Sequence, residues 1–274
     1  MLDFLAVGDV MLDVITAAGP AGAVHSDVRV RGGGSALNAA VWAASEGARA
    51  AVVGRIGADP AGKMVRATLE EAGVEPLLVV DPEAPTGTVV YTRDGVVADR
   101  GATARFSPGD LPSRLDARTI LVSGYALLHE DTQPAALAAI ERSRADWLAF
   151  DVASAELVRR AGPDRVLELV SGVDVLLANE DEALVLTGAG PEEAAVALGR
   201  RFRLACVKRG ARGAVARFDG ETVAWPAPHV LERDVVGAGD AFAAGLLVAL
   251  AAGKPVREAL ESGCRLGTAA AVAG

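Results

Sequence analysis

Short apolar runs alternate with alanine-rich, helix-forming stretches along most of the chain. The apolar runs, which we predict to be buried strands, are Phe4–Val10, Ala50–Ile56, Leu77–Val80, Ile120–Ser123, Trp147–Asp151, Val173–Ala178 and Leu204–Lys208. The predicted helices between them are Ala36–Glu46, Ala61–Ala72, Thr132–Ser143 and Glu192–Phe202. Strands that alternate with helices of about ten residues are typical of βαβ units, so we predict an α/β fold with a mostly parallel central sheet. Ligands of such sheets bind beyond the carboxyl ends of the strands.

Two stretches interrupt this alternation. Val24–Arg31 precedes a glycine triplet, and Thr86–Arg93 is separated from Val96–Arg100 by Asp94-Gly95, a strong hairpin signal. We predict that these segments form a few antiparallel strands beside the main sheet. Such a small β-unit could cover a site as a lid, form a sheet edge or form a dimer surface.

The rest of the chain continues as one unit. Asp219-Gly220 predicts a second hairpin, between Ala214–Phe218 and Thr222–Trp225, and the last forty residues are predicted to be helical. No internal repeat or low-complexity linker divides the sequence. We therefore expect residues 1–274 to form a single domain, with the additional strands inserted at about 15–31 and 86–105.

Composition and charge exclude several classes of partner. The chain has 274 residues, of which 51% are hydrophobic and 23% charged, enough to bury one substantial core. Its formal net charge is −9, so we set aside nucleic acid and anionic membranes as partners. No signal peptide or membrane-spanning run is visible. Cys206 and Cys264 lie outside any CxxC motif and are expected to be reduced, which fits a cytoplasmic location.

The segment from Asp234 to Phe242, Asp-Val-Val-Gly-Ala-Gly-Asp-Ala-Phe, leads into an apolar helix. Free N–H groups at a helix start bind anions, and small residues let a phosphate approach the main chain closely. A carboxylate beside such a site repels the bound anion, so its presence there indicates a chemical role, such as accepting a proton from an attacking hydroxyl. Taken alone, Asp240 is either such a base or an acid that favours the helix dipole.

A second glycine-rich segment precedes the first predicted helix. In Gly32-Gly33-Gly34-Ser35-Ala36-Leu37-Asn38, the glycines allow close approach of a ligand and Asn38 offers a polar contact. By itself the segment equally fits a flexible loop capped by Ser35. Neither a Walker A motif nor a GxGxxG motif is present, so a P-loop and a Rossmann dinucleotide site have no support.

Three motifs, in this order, resemble those of the ribokinase-like (PfkB-type) carbohydrate kinase family. Gly33–Ala40 is similar to its Gly-Gly-x-x-x-Asn-x-Ala signature, Gly54–Gly62 to its Gly-x-x-Gly-x-Asp-x-x-Gly continuation, and Asp234–Asp240 to its Asp-Thr-x-Gly-Ala-Gly-Asp signature. The resemblance extends over essentially the whole chain. It implies a three-layer α/β fold with a small β lid, and transfer of the γ-phosphoryl group of ATP to a hydroxyl of a small substrate.

The resemblance also implies roles for individual residues. Asp240 would be the general base, and the amides of Gly237, Ala238 and Gly239 would stabilise charge on the transferring phosphoryl group. The implied substrate-binding residues are Asp13, Gly33, Gly34 and Asn38.

Cofactor sites are implied in the same way. The implied ATP contacts are Asn179, Lys208, Gly210, Gly213 and Gly239. Glu182, in Asn179-Glu180-Asp181-Glu182, would act on Mg²⁺ through water, which suits an ion that keeps its waters. The alternative for that segment is a helix start with exposed acids. Asp234 would assist a monovalent cation such as K⁺.

The sequence departs from the family pattern at three places. Val235 replaces the signature Thr, which puts activation by K⁺ in doubt. Lys208-Arg209 replaces the commoner Thr-Leu pair. Contacts to adenine that relatives place further along the chain are expected around Cys264–Thr268.

The acceptor is open at this level. Asp13 together with Asn38 favours a hydroxyl-rich sugar or sugar acid of the ribose, fructose or 2-keto-3-deoxygluconate type. The alternatives are a nucleoside such as adenosine or inosine, or a non-catalytic sugar- or nucleotide-binding regulator on the same fold. Because the β appendage often pairs between subunits in this family, a homodimer through the lid is expected.

Overall fold

The computed structural model describes residues 1–16, 27–92, 95–230 and 236–273. The strands are β1 (Leu2–Val7), β2 (Met11–Thr16), β3 (Val28–Gly33), β4 (Ala50–Gly57), β5 (Glu75–Asp81), β6 (Thr88–Thr92), β7 (Gly95–Asp99), β8 (Leu115–Ser123), β9 (Ser143–Arg144), β10 (Trp147–Asp151), β11 (Val175–Asn179), β12 (Leu204–Lys208), β13 (Ala214–Phe218) and β14 (Glu221–Trp225). The α-helices are α1 (Ser35–Ser45), α2 (Pro60–Glu71), α3 (Gly124–Leu128), α4 (Gln133–Arg142), α5 (Ala155–Ala161), α6 (Pro163–Leu169), α7 (Glu180–Thr187), α8 (Pro191–Leu198), α9 (Ala238–Ala251) and α10 (Val256–Ala273).

The central sheet has the order β14-β13-β12-β11-β10-β8-β1-β4-β5, and the short strand β9 pairs with β8. All pairs from β12 to β5 are parallel, whereas β13 and β14 add an antiparallel hairpin at one edge. The predicted mostly parallel sheet and the second hairpin are therefore confirmed.

Helices cover both faces of this sheet. Successive side chains of a strand point to opposite faces, and in β1 Phe4 and Ala6 join one buried cluster while Leu5 and Val7 join the other. The first cluster contains α1, α2, α9 and α10, and the second contains α3 to α8. The predicted three-layer α/β fold is confirmed.

A separate four-stranded sheet, which we call the lid sheet, has the order β3-β2-β6-β7. The prediction of antiparallel strands is right for β2–β3 and β6–β7 but wrong for the central pair β2–β6, which is parallel. The chain enters both central lid strands from the carboxyl edge of the main sheet, because β2 follows β1 and β6 follows β5. The two strands therefore run in the same direction. Residues 17–26 and 93–94, parts of the predicted lid, lie outside the described residues.

Several predicted boundaries were wrong for local reasons. The strand predicted from Phe4 to Val10 ends at Val7, because Gly8 turns the chain with φ 145° and β2 then starts the lid sheet. The helix predicted to reach Phe202 ends at Leu198, where Gly199 packs against Arg217 of the edge hairpin. Three short helices, α3, α5 and α6, were not predicted, because five to seven residues are too few to show a clear period.

The fold brings several of the predicted site segments together at the carboxyl edge of the central sheet. The carboxyl ends of β10, β11 and β12 lie side by side, and the N-termini of α1 and α9 belong to helices that pack on each other. No helix in the described ranges combines the length and apolarity needed to cross a membrane.

Candidate functional site

Helix α9 begins at the Gly-Ala-Gly segment. Gly237 is its N-cap in the left-handed conformation, with φ 82°, and Ala238 starts the helix. A left-handed N-cap of this kind favours glycine, and no side chain caps the first turn, so its amides remain available to a ligand. The predicted helix start is thus confirmed. Asp234 and Val235, with the predicted monovalent-cation contact, lie outside the described residues.

Asp240 in the first turn of α9 is held by two donors from α1. Ser35 Oγ donates to Asp240 Oδ1 at 2.6 Å, and Asn38 Nδ2 donates to Asp240 Oδ2 at 3.1 Å. Burial raises the pKa of Asp240 to about 6, with the hydrogen bond from Ser35 and the charge of Lys208 opposing and that of Asp151 adding to the rise. The carboxylate is therefore more basic than usual and still ionised at neutral pH.

The alternative interpretation of this segment, a flexible loop capped by Ser35, differs from the structure. The N-cap is Gly34, and no side chain caps the helix. Ser35 instead faces Asp240 from 205 positions away in the sequence. A serine at a helix start carries the same local signal in either role, so only the tertiary packing of α1 on α9 separates them.

Asp13 on β2 is a buried carboxylate without a hydrogen bond. The residue is 0% exposed, and neither of its side-chain oxygens has a partner. It lies against the main chain of Gly33, where a Cβ would come within 2.1 Å of Asp13 Oδ2. Burial raises the pKa of Asp13 to about 6, against the charge of Arg31 and the nearby Gly34 amide, which does not reach hydrogen-bond geometry. Since buried polar groups are normally satisfied, this carboxylate suits a ligand hydroxyl.

A cavity, which we call the acidic cavity, opens beside Asp240. Its lining comprises Asp240, Ser35 and Asn38, the tyrosines Tyr91 and Tyr125, Glu182 in the first turn of α7, and Asp151, Asn179 and Lys208 at the ends of β10, β11 and β12. Of the predicted substrate-binding residues, Asn38 lines this cavity and Asp13 lies outside its lining. Tyr91, Asp151 and Ser35 were not predicted from sequence.

Asn179 and Glu182 form a reciprocal cap at the start of α7. Asn179 Oδ1 accepts from the Glu182 amide at 2.9 Å, and Glu182 Oε2 accepts from the Asn179 amide at 2.8 Å. Glu182 is nevertheless only 3% exposed, so it is not one of the exposed acids of the alternative interpretation. Burial raises the pKa of Glu182, against the charge of Lys208.

The residues here fit Mg²⁺ better than a fully protein-ligated metal. No cluster of three or more metal-binding side chains occurs in the described part of the chain. Mg²⁺ retains several waters and needs only one or two carboxylates beside substrate phosphates. Glu182, at the start of α7 beside the acidic cavity, can supply one such carboxylate.

A second cavity, which we call the apolar cavity, lies between the β12–β13 connection and helices α9 and α10. Its lining includes Gly210, Gly213, Ala227, Val230, Phe242, Cys264, Gly267 and Thr268. Gly213 must be glycine here, since it has φ 84° and a Cβ would lie 2.0 Å from the Trp225 carbonyl oxygen. Lys208 and Gly239 line both cavities and mark where they meet.

Comparison with known proteins identifies this arrangement. Residues 1–273 match the sequence model of the pfkB family of carbohydrate kinases. The chain belongs to this family. It is an ATP-dependent kinase with an alcohol group as phosphoryl acceptor, and the family includes sugar and nucleoside kinases.

Relatives of this kinase act on different acceptors. It is 31% identical over 239 residues to a fructokinase of Klebsiella pneumoniae, covering 80% of this chain and 77% of the relative. It is 26% identical over 274 residues to a cytidine kinase of Thermococcus kodakarensis, covering 96% and 94%.

Solved structures show the same spread. Fructokinase from Vibrio cholerae, in a form bound to fructose, ADP and calcium, has a TM-score of 0.83 and 27% identity, covering 99% of this chain and 93% of that one. Adenosine kinase from Sinorhizobium meliloti has a TM-score of 0.87 and 25% identity, covering 97% and 93%.

Replacing Asp13 with Asn is expected to stabilise the kinase at pH 8. The pKa of Asp13 in the folded protein, about 6, exceeds the ordinary value of 3.8, so folding favours the protonated carboxyl. Above pH 6 the carboxyl is charged in both states, and the full cost of burying that charge is subtracted from the free energy of unfolding. A shift of this size corresponds to about 3 kcal/mol of unfolding free energy. Urea denaturation at pH 8 should show a gain approaching that value, shrinking to roughly half at pH 5 as wild-type Asp13 takes up its proton. Equal gains at both pH values would contradict a buried charged carboxylate.

Proposed function

We propose that this kinase transfers the γ-phosphoryl group of ATP to a hydroxyl of a small sugar or sugar acid, of the ribose, fructose or 2-keto-3-deoxygluconate type, with Asp240 as general base. One observation carries the proposal. The Asp240 carboxylate and the uncapped amides at the start of α9 occupy a single helical turn, where the acidic and apolar cavities meet.

In the proposed reaction the acceptor hydroxyl enters the acidic cavity and donates to Asp240. As its oxygen bonds to the γ-phosphorus, the hydroxyl proton passes to the carboxylate, and the bond to the β-phosphate oxygen breaks with its electron pair leaving on ADP. A pKa of about 6 makes Asp240 a stronger base than an ordinary carboxylate yet leaves it ionised at pH 7. The amides of Gly237, Ala238 and Gly239 stabilise the negative charge of the phosphoryl group, helped by the helix dipole.

The nucleotide would lie across the boundary of the two cavities. The apolar cavity suits the adenine ring, with the expected contacts around Cys264–Thr268 and with Gly210 and Gly213 allowing close approach. Its phosphates would then reach Asn179, Lys208 and Gly239. Mg²⁺, when bound, neutralises phosphate charge, and Glu182 would hold it through water. A contribution of K⁺ at Asp234 stays a prediction.

The acceptor would be held by the glycine-rich segment and the strand beneath it. The unpaired carboxylate of Asp13 supports a substrate with several hydroxyls, with Gly33 and Gly34 allowing approach and Asn38 adding a polar contact. The nucleoside alternative is favoured by another observation, because Tyr91 and Tyr125 bring two aromatic rings to the same cavity. A non-catalytic regulator has no need for a half-buried base beside an anion site.

We also propose that the kinase forms a homodimer through the lid sheet. The register of the lid places Val30, Val14, Val90 and Val97 in one row across its four strands. Val30 and Val97, at the two ends of the row, are 43% and 68% exposed. An exposed apolar row on a sheet face suits a second copy of the same sheet.

Replacing Asp240 with Asn should lower kcat by about 10²–10⁴-fold and leave ATP affinity close to wild type, because only the proton acceptor is lost. Kinetics with the preferred acceptor, together with calorimetric ATP binding, measure the two effects. Asp164, an exposed acid in the first turn of α6, is the matched control, and Asp164→Asn should leave kcat unchanged. Near-wild-type turnover of Asp240→Asn would rule out the base assignment.

An acceptor panel separates the candidate functions. Ribose, fructose, 2-keto-3-deoxygluconate, adenosine, inosine and cytidine would be compared by kcat/KM for ADP release. We expect the largest value for a sugar or sugar acid, because the unpaired Asp13 carboxylate needs hydroxyl donors. A preference for a nucleoside would establish the alternative. Measurable ATP binding without ADP release from any acceptor would point to a regulator.

The dimer proposal predicts a light-scattering mass of about twice the 27.9 kDa of the chain. Val97→Glu, which puts a charge at the end of the valine row, should convert the protein to a monomer. Val80→Glu is the control, since Val80 is 42% exposed on β5 of the main sheet. A wild-type mass of one chain would refute the dimer.

A further inference from the structure

Lys208 stands at the junction of the two cavities. It is the last residue of β12 and lines both cavities. Among the described residues that line either cavity, it is the only lysine or arginine. Its Nζ lies 3.5 Å from where a Cβ on Gly239 would be. Gly239 belongs to the first turn of α9, so the ammonium group faces the proposed path of the phosphoryl group.

The ammonium group is held in place by a buried carboxylate. Lys208 Nζ donates to Asp151 Oδ1 at 2.7 Å and to Asp151 Oδ2 at 2.8 Å. The two side chains are only 14% and 6% exposed. Asp151 ends β10 and Lys208 ends β12, so the pair reaches across the end of the intervening strand β11. An ammonium has three donors, and two of them are used here.

The surroundings of this pair are strongly acidic. Asp151, Glu182 and Asp240 all act on Lys208, and their charges raise its pKa although burial alone would lower it. Three carboxylates would repel an incoming polyphosphate unless a positive charge turns towards it. Within the described lining, Lys208 and the start of α9 are the groups that can do so.

We propose that Lys208 is a catalytic residue that binds the transferring phosphoryl group, and that Asp151 is a positioning residue that holds the Lys208 ammonium at the junction before the triphosphate arrives. This inference rests on the proposed function, which places ATP across the two cavities. The γ-phosphate then competes with Asp151 for the same N–H donors. During transfer Lys208 forms and breaks no covalent bond, and contributes its charge as the phosphoryl group moves from ADP to the acceptor oxygen.

This exchange predicts opposite effects for the two halves of the pair. Calorimetric binding of ATP, ADP and AMP would be measured in EDTA, so that no metal intervenes. Lys208→Met should weaken ATP binding by about 10- to 100-fold, since a charge-assisted contact is lost, and should change AMP binding by less than about twofold. Asp151→Asn should tighten ATP binding several-fold, because the competing carboxylate is gone.

Two further variants guard against loss of the fold. Lys208→Met alone leaves a buried charge unpaired, so the double variant Lys208→Met/Asp151→Asn, which removes both charges, is measured beside it. Its ATP affinity should fall below that of Asp151→Asn by the same factor of about 10 to 100. Lys63→Met, at an exposed lysine of α2, is the matched control and should bind all three nucleotides like wild type.

The outcomes separate this inference from the proposed function. Equal losses for ATP and AMP, or weaker ATP binding by Asp151→Asn, would show that the pair only supports the fold, and would overturn the assignment of Lys208. An acceptor panel without ADP release would refute the proposed kinase mechanism and leave these binding ratios unaffected.

Discussion

The site depends on keeping one carboxylate charged inside the protein. Asp240 is half-buried at the start of α9, where partial loss of solvent disfavours its charge. Donors from Ser35 and Asn38 on α1, together with the positive end of its own helix, offset that cost. These contacts tie residues near the beginning of the chain to residues near its end, and they require α1 and α9 to pack side by side on one face of the sheet.

Much of the fold and part of the site could be predicted from sequence, and the misses share a physical cause. The alternation of strands and helices predicted the sheet, and the Gly-Ala-Gly-Asp segment predicted the start of α9, because both signals are local. The contact of Ser35 with Asp240 could not be predicted, because it exists only after α1 and α9 pack. Asp151 ends a correctly predicted strand, so the rule that ligands bind at carboxyl strand ends could have singled it out. Tyr91 could not be placed, since its position depends on the parallel pairing of β2 with β6.

The carboxylates that line the acidic cavity carry enough negative charge to repel a phosphate unless cations compensate it. The charge of Asp151 adds to the rise that burial causes in the pKa of both Glu182 and Asp240, and the charge of Lys208 opposes that rise only in part. The carboxylates repel one another, whereas a bound metal ion attracts all of them. A metal ion therefore relieves the repulsion in such a site. The two cavities therefore act as one electrostatic unit, joined at Lys208 and Gly239.

The cavities nevertheless come from different stretches of the polypeptide. Apart from the shared junction, the apolar cavity is built from residues 210–271, whereas the acidic cavity takes Ser35, Asn38, Tyr91 and Tyr125 from the first half. Under the proposed function, substitutions at these four positions would therefore alter which alcohol is accepted without touching the residues that line the apolar cavity.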